Sequence, residues 1–72
     1  MSKDLTELTV VALLADIPAS KLLRGQVGTI VDASSGQDVL VEFSDDDGRA
    51  YAVVSCKRSD LLVLHHVPQV AA

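Results

Sequence analysis

The stretch DVLVEFSDDDGRAYAVVSC, residues 38 to 56, constrains the fold more than any other part of the chain. Along DVLVEFS, residues 38–44, Val39, Val41 and Phe43 point one way and Asp38, Glu42 and Ser44 the other. Side chains of a strand alternate between faces, so this pattern is that of a half-buried strand. DDDG, residues 45–48, is then a hairpin loop, with Asp47 and Gly48 supplying the positive-φ positions of a tight turn. RAYAVVSC, residues 49–56, returns as the next strand. Both of its faces are small and apolar. A one-residue change of register therefore exchanges Tyr51 and Val53 for Ala52 and Val54 on the outside.

The remainder reads as further short strands. LTVVALLAD, residues 8–16, is a first strand, with a helix as the competing reading because Leu and Ala dominate a short segment. Pro18 forces Ile17 out of the helical region and breaks it. ASKLLRG is a loop or single turn closed by Gly25. QVGTIVDAS, residues 26–34, is a second strand, and Gly25 and Gly28 make the bend into it. SGQ, residues 35–37, is a turn. KRSD, residues 57–60, interrupts as a 3₁₀ turn, and LLVLHH, residues 61–66, is the last strand. Five short strands with tight connections make a small all-β barrel, whose closure hides the sheet edges. The organisation is a polar lead-in over 1–7, a barrel over 8–66 and a tail over 67–72.

A chain of 72 residues is one domain. It buries only about 60% of its unfolded surface, and a core of that size rarely yields more than about 3–5 kcal/mol of net stability. One cysteine, Cys56, excludes an internal disulfide, and one Cys with two His falls short of a structural zinc set. Self-association is the remaining device. VVALL, TIV, AVV and LLVL are apolar on both faces, and a barrel fills only its inside. We therefore expect a homo-oligomer with an apolar sheet face at its interface; the alternative is that the first segment and the tail cover that face.

Charge and aromatic content narrow the function. The net charge is −4, and the six basic residues are scattered: Lys3, Lys21, Arg24, Arg49, Lys57 and Arg58. A phosphate-tracking surface wants a basic patch, and base stacking wants several rings. The chain has only Phe43 and Tyr51. No apolar run reaches the 18 or so residues of a membrane helix, and the N-terminus is too polar for a signal peptide. A lone cysteine fits a reducing compartment, and the expected location is the cytoplasm.

No motif brings catalysis, a cofactor or a metal. A P-loop needs a lysine after its second glycine, a dinucleotide fingerprint needs a third glycine, and a KH loop joins two helices. A strand follows Gly28 instead. Asp45, Asp46 and Asp47 are consecutive and lack the alternation and later glutamate of a calcium loop. His65 and His66 are neighbours on a strand and point to opposite faces, so one chain does not bring both to a single metal; a symmetry partner could. Lys57 and Arg58 would favour a Cys56 thiolate, against the usual behaviour of Cys as a small buried residue. Asp16, Glu42 and Asp60 form no acid–base pair.

The run from LLADIPASKLLRGQVGTIV through VLVEFSDDDGRAYAVV to SCKRSDLLVL is similar to the small bacterial family called domain of unknown function 4926. The resemblance rests on Asp16, Ile17, Pro18, Gly25, Gly28, Thr29, Val31, Val41, Glu42, Phe43, Asp45, Gly48, Arg49, Tyr51 and Ala52. It covers residues 8 to 64 and leaves the histidines and tail outside. It implies a five-stranded SH3-like barrel with no assigned activity, of a kind found on mobile bacterial DNA, including integron gene cassettes. The Gly25–Gly28 region also resembles the glycine-containing bend of KOW-type barrels, which bind RNA or polymerase.

Three functions follow as expectations. The first is a non-enzymatic protein–protein interaction module that self-associates, with Arg49 and Tyr51 as an exposed contact pair. The second is a KOW-like nucleic-acid binder using Lys21, Arg24 and the Gly25–Gly28 loop, disfavoured by charge. The third is an antitoxin or immunity-type partner of a neighbouring gene product, its acidic face covering a basic one.

Overall fold

The computed structural model describes residues 6–34 and 36–65. Most of the polar lead-in, Ser35 of the predicted turn, His66 and the tail lie outside the described residues. The chain is all-β. Five strands run β1 (Val10–Leu13), β2 (Val27–Asp32), β3 (Asp38–Ser44), β4 (Ala50–Lys57) and β5 (Leu61–Val63). They form one antiparallel sheet in the order β4-β3-β2-β1-β5. The first segment is a strand and not a helix. The 3₁₀ turn before the last strand is present at Arg58–Asp60.

The expected closure of the barrel is not seen. The ladder is open, and β4 and β5 remain its two edges. The sheet nevertheless curls strongly. Four flat inter-strand spacings would separate its edges by about 19 Å. Yet Lys57 ends β4, Leu61 begins β5, and the three 3₁₀ residues between them advance only about 6 Å. Leu14 N–H donates to the Asp60 carbonyl at 2.8 Å and ties the end of β1 to this corner.

Curling makes a core without a helix to cover it. Val11 and Leu13 of β1, Ile30 of β2, Val39, Val41 and Phe43 of β3, Cys56 of β4 and Leu61 of β5 share one buried cluster. The alternation of β3 is as read: Val39, Val41 and Phe43 are buried. On β4 the same face carries Ala52, Val54 and Cys56, which leaves Tyr51, Val53, Ser55 and Lys57 outside.

The ninth core residue, Leu22, comes from the long β1–β2 connection. That connection is braced along its length. Pro18 opens a 3₁₀ turn over Pro18–Ser20, with Ile17 held outside the helical region before it. Ile17 and Leu22 form an isolated bridge. The Asp16 carboxylate accepts from Arg24 N–H at 2.8 Å. Gly25, at φ +93, and Gln26 then bond back to Leu13.

Candidate functional site

The acidic hairpin and the outer sheet face hold Asp47, Gly48, Arg49 and Tyr51. At the acidic hairpin, Gly48 takes φ +81 and its N–H donates to the Asp45 carbonyl at 3.0 Å. Asp47 does not share the positive φ expected of it. Its place in the turn is fixed by its N–H, which donates to Asp45 Oδ1 at 2.9 Å. Arg49 N–H donates to the same oxygen at 3.0 Å. One acid of the three therefore holds the loop. Three backbone positions satisfied in this way need only one left-handed residue, and Gly48 supplies it.

Gly28 corrects a second expectation. It lies inside β2, buried, and is not a turn residue. It faces Val11 on β1 and Phe43 on β3. A Cβ there would stand 2.6 Å from Val41 Cγ1 and 2.9 Å from both the Glu42 carbonyl oxygen and Phe43 Cδ2. The glycine clears space for the core side chains; only Gly25 makes the bend.

Arg49 and Tyr51 lie where β3 and β4 shift register. Arg49 meets the acidic loop through its backbone, and among the described residues its guanidinium makes no ion pair with Asp45, Asp46 or Asp47. Tyr51 is half exposed on the outer face. Its hydroxyl accepts from Gln26 Nε2 at 2.6 Å, and Gln26 Oε1 in turn accepts from Leu23 N–H at 2.5 Å. Sequence reasoning gave Gln26 no role. The pairing of Gly28 with Phe43 and of Phe43 with Ala52 brings it to a residue 25 positions away.

The outer face has a definite pattern. One row runs Leu62–Ala12–Val27 across β5, β1 and β2. The next runs Val10–Thr29–Glu42–Val53 from β1 to β4. Leu62, Val27, Val53 and Tyr51 are each about half exposed, at 50%, 48%, 52% and 50%. Glu42 stands between the two apolar zones.

The remaining candidates separate. Cys56 faces the core, its thiol donating to the Val54 carbonyl at 3.7 Å. Burial, then Asp60 and Asp38, push its pKa up, against the thiolate that Lys57 and Arg58 alone would favour. Arg58 is also committed elsewhere: Nε donates to the Gly36 carbonyl at 3.3 Å and an η-nitrogen to the Ala33 carbonyl at 3.5 Å. An open depression of about 420 Å³ lies there, lined by Gly36, Gln37, Asp38, Lys57, Arg58 and Ser59. Lys21 caps the first 3₁₀ turn in the left-handed region. His65 is exposed. No group of three or more metal-ligating side chains occurs among the described residues. No helix among them is long and apolar enough to cross a membrane.

No curated protein and no solved structure matches the chain. The family model described as domain of unknown function (DUF4926) matches residues 7–63. That span takes in all five strands and both braced corners, and the chain belongs to this family.

Proposed function

We propose that the chain is a non-enzymatic protein-contact module that self-associates through the apolar part of its outer sheet face. The observation that carries this reading is the half-exposure of Val53, Tyr51, Val27 and Leu62 on strands whose other face already fills the core. Covering one such side chain yields roughly 1.5–3 kcal/mol at full burial, and the fold itself does not use it.

The test is mass in solution by light scattering across a wide concentration range. The expected result is a species of at least twice the 7.6 kDa chain mass. Val53→Glu should move it toward monomer by about tenfold in dissociation constant, since a carboxylate would then be desolvated at the contact. A chain that stays at 7.6 kDa at every concentration overturns the reading.

A further inference from the structure

Asp47–Gly48 is the only Asp-Gly dipeptide in the chain, and the chain has no asparagine. The side-chain carbonyl carbon of an aspartate is placed to close a five-membered ring with the next backbone nitrogen. A side chain on the following residue obstructs that closure, and glycine has none. The other described aspartates precede Ile17, Ala33, Val39, Asp46, Asp47 and Leu61. Asp47 and Gly48 are exposed at the hairpin tip, and nothing lies within 4 Å of the Gly48 Cβ position. Water reaches the pair, and no packed neighbour blocks a ring.

The same loop holds the attacking nitrogen back. Gly48 N–H donates to the Asp45 carbonyl at 3.0 Å, so its proton is shielded and the nitrogen is tied into the turn. Asp47 is pinned as well, its N–H donating to Asp45 Oδ1 at 2.9 Å. Arg49 N–H shares that oxygen at 3.0 Å. Ring closure needs Gly48 to lose its proton and turn toward the Asp47 side chain, so the loop must open first.

We propose that Asp47–Gly48 is a site of spontaneous conversion to isoaspartate through a succinimide, and that the Asp45 carboxylate restrains it. The proposal stands apart from self-association. In the first step the Gly48 nitrogen attacks Cγ of the Asp47 carboxylic acid. The N–Cγ bond forms and the Cγ–OH bond breaks. The hydroxyl leaves as water with the proton from the nitrogen. In the second step water adds to either ring carbonyl. Addition at the main-chain carbonyl leaves the backbone joined through Cγ and frees an α-carboxylate. One water leaves and one enters, so the mass is unchanged.

The product carries one more methylene in the backbone between Asp47 and Gly48. Asp45 N–H donates to the Arg49 carbonyl at 2.9 Å and closes the loop at its present length. A longer loop carries Gly48 away from the Asp45 carbonyl. Conversion therefore loosens the hairpin end beside Arg49.

The experiment is incubation of the full chain at pH 6 and 37 °C, with isoaspartate located by electron-transfer fragmentation of its peptides. The parent, Asp45→Ala, Asp46→Ala and Asp47→Glu are compared, and the parent is also incubated in guanidinium chloride. Isoaspartate should accumulate at residue 47, and more quickly in guanidinium than in the folded chain. Asp45→Ala should speed it about fivefold, the change in open population that one hydrogen bond is worth. Asp46→Ala should match the parent. Asp47→Glu, which closes only a slower six-membered ring, should give none. No isoaspartate at residue 47 in guanidinium, or faster conversion at another aspartate, overturns the site. Equal rates in the folded parent, in Asp45→Ala and in guanidinium overturn the restraint. A gain at Asp46→Ala as large as at Asp45→Ala overturns the role given to Asp45.

Discussion

Gly28 sits directly opposite Phe43 across β2 and β3, in a space that a methyl group would overfill. The Phe43 ring and Val41 both lean over it and are fully buried. Gly28→Ala should therefore destabilise the chain by about 1–3 kcal/mol through overpacking. Gly36→Ala should cost much less, because nothing lies within 4 Å of its Cβ position and its φ is ordinary. Urea midpoints of the two variants decide it. Equal midpoints would mean that Val41 and Phe43 move aside freely.

Asp45 is predicted to matter more than its two neighbours. Its Oδ1 alone accepts from Asp47 N–H and Arg49 N–H. Asp45→Ala should cost about 1 kcal/mol, the net worth of a typical intramolecular hydrogen bond or slightly more. Asp46→Ala should change the thermal midpoint very little. A matching loss at Asp46 would show that the loop is held by its net charge instead.

Much of the fold is legible in the sequence because its strands carry their own signals. Alternation marks β3, Asp-Gly marks the hairpin, and Pro18 marks the end of the first strand. The register of β4 is not legible, because Ala, Val and Ser fit either face; the pairing of Val54 with Val41 settles it. The role of Gly28 is not legible either. A glycine that bends a chain and one that admits a neighbouring ring look alike until the facing residues are known. Closure failed as an expectation for a different reason. Curl, and not a closing ladder, gathers the core, and the three-residue corner at Arg58–Asp60 joins β4 to β5. For the candidate contact pair, the exposure of Tyr51 follows only once the register of β4 is known, and its bond to Gln26 depends on the pairing of β2 with β3 and of β3 with β4.

Leu22 gives a third prediction. It lies in a loop by sequence, yet it is wholly buried in the core cluster. Leu22→Ala should cost about 2–5 kcal/mol, as for other buried leucines. Leu23→Ala, next to it and 63% exposed, should stay within about 0.5 kcal/mol of the parent. Since a domain this small holds only about 3–5 kcal/mol in reserve, the Leu22 variant should be largely unfolded by circular dichroism at 37 °C. A well-folded Leu22 variant would mean that the β1–β2 connection can lift away without loss.

Cys56 gives the last, through its titration. Burial chiefly, with Asp60 and Asp38 adding repulsion, raises its folded pKa above the ordinary thiol value of about 8.5. In the unfolded chain the thiol loses its proton near that value, whereas in the folded chain it keeps it. Between the two values the folded state binds more protons, so stability falls as pH rises. The contribution is fully present below about pH 8.5 and is lost as pH climbs through the folded pKa. Cys56→Ala removes the titrating group and should flatten this part of the pH dependence, even though it lowers stability at neutral pH by emptying part of the core. The check is denaturant unfolding of both proteins from pH 7 to pH 10 under reducing conditions, read as the difference between their slopes. Parallel curves would mean that the thiol ionises as readily inside as outside, and that Cys56 is more accessible to water than its place in the core implies.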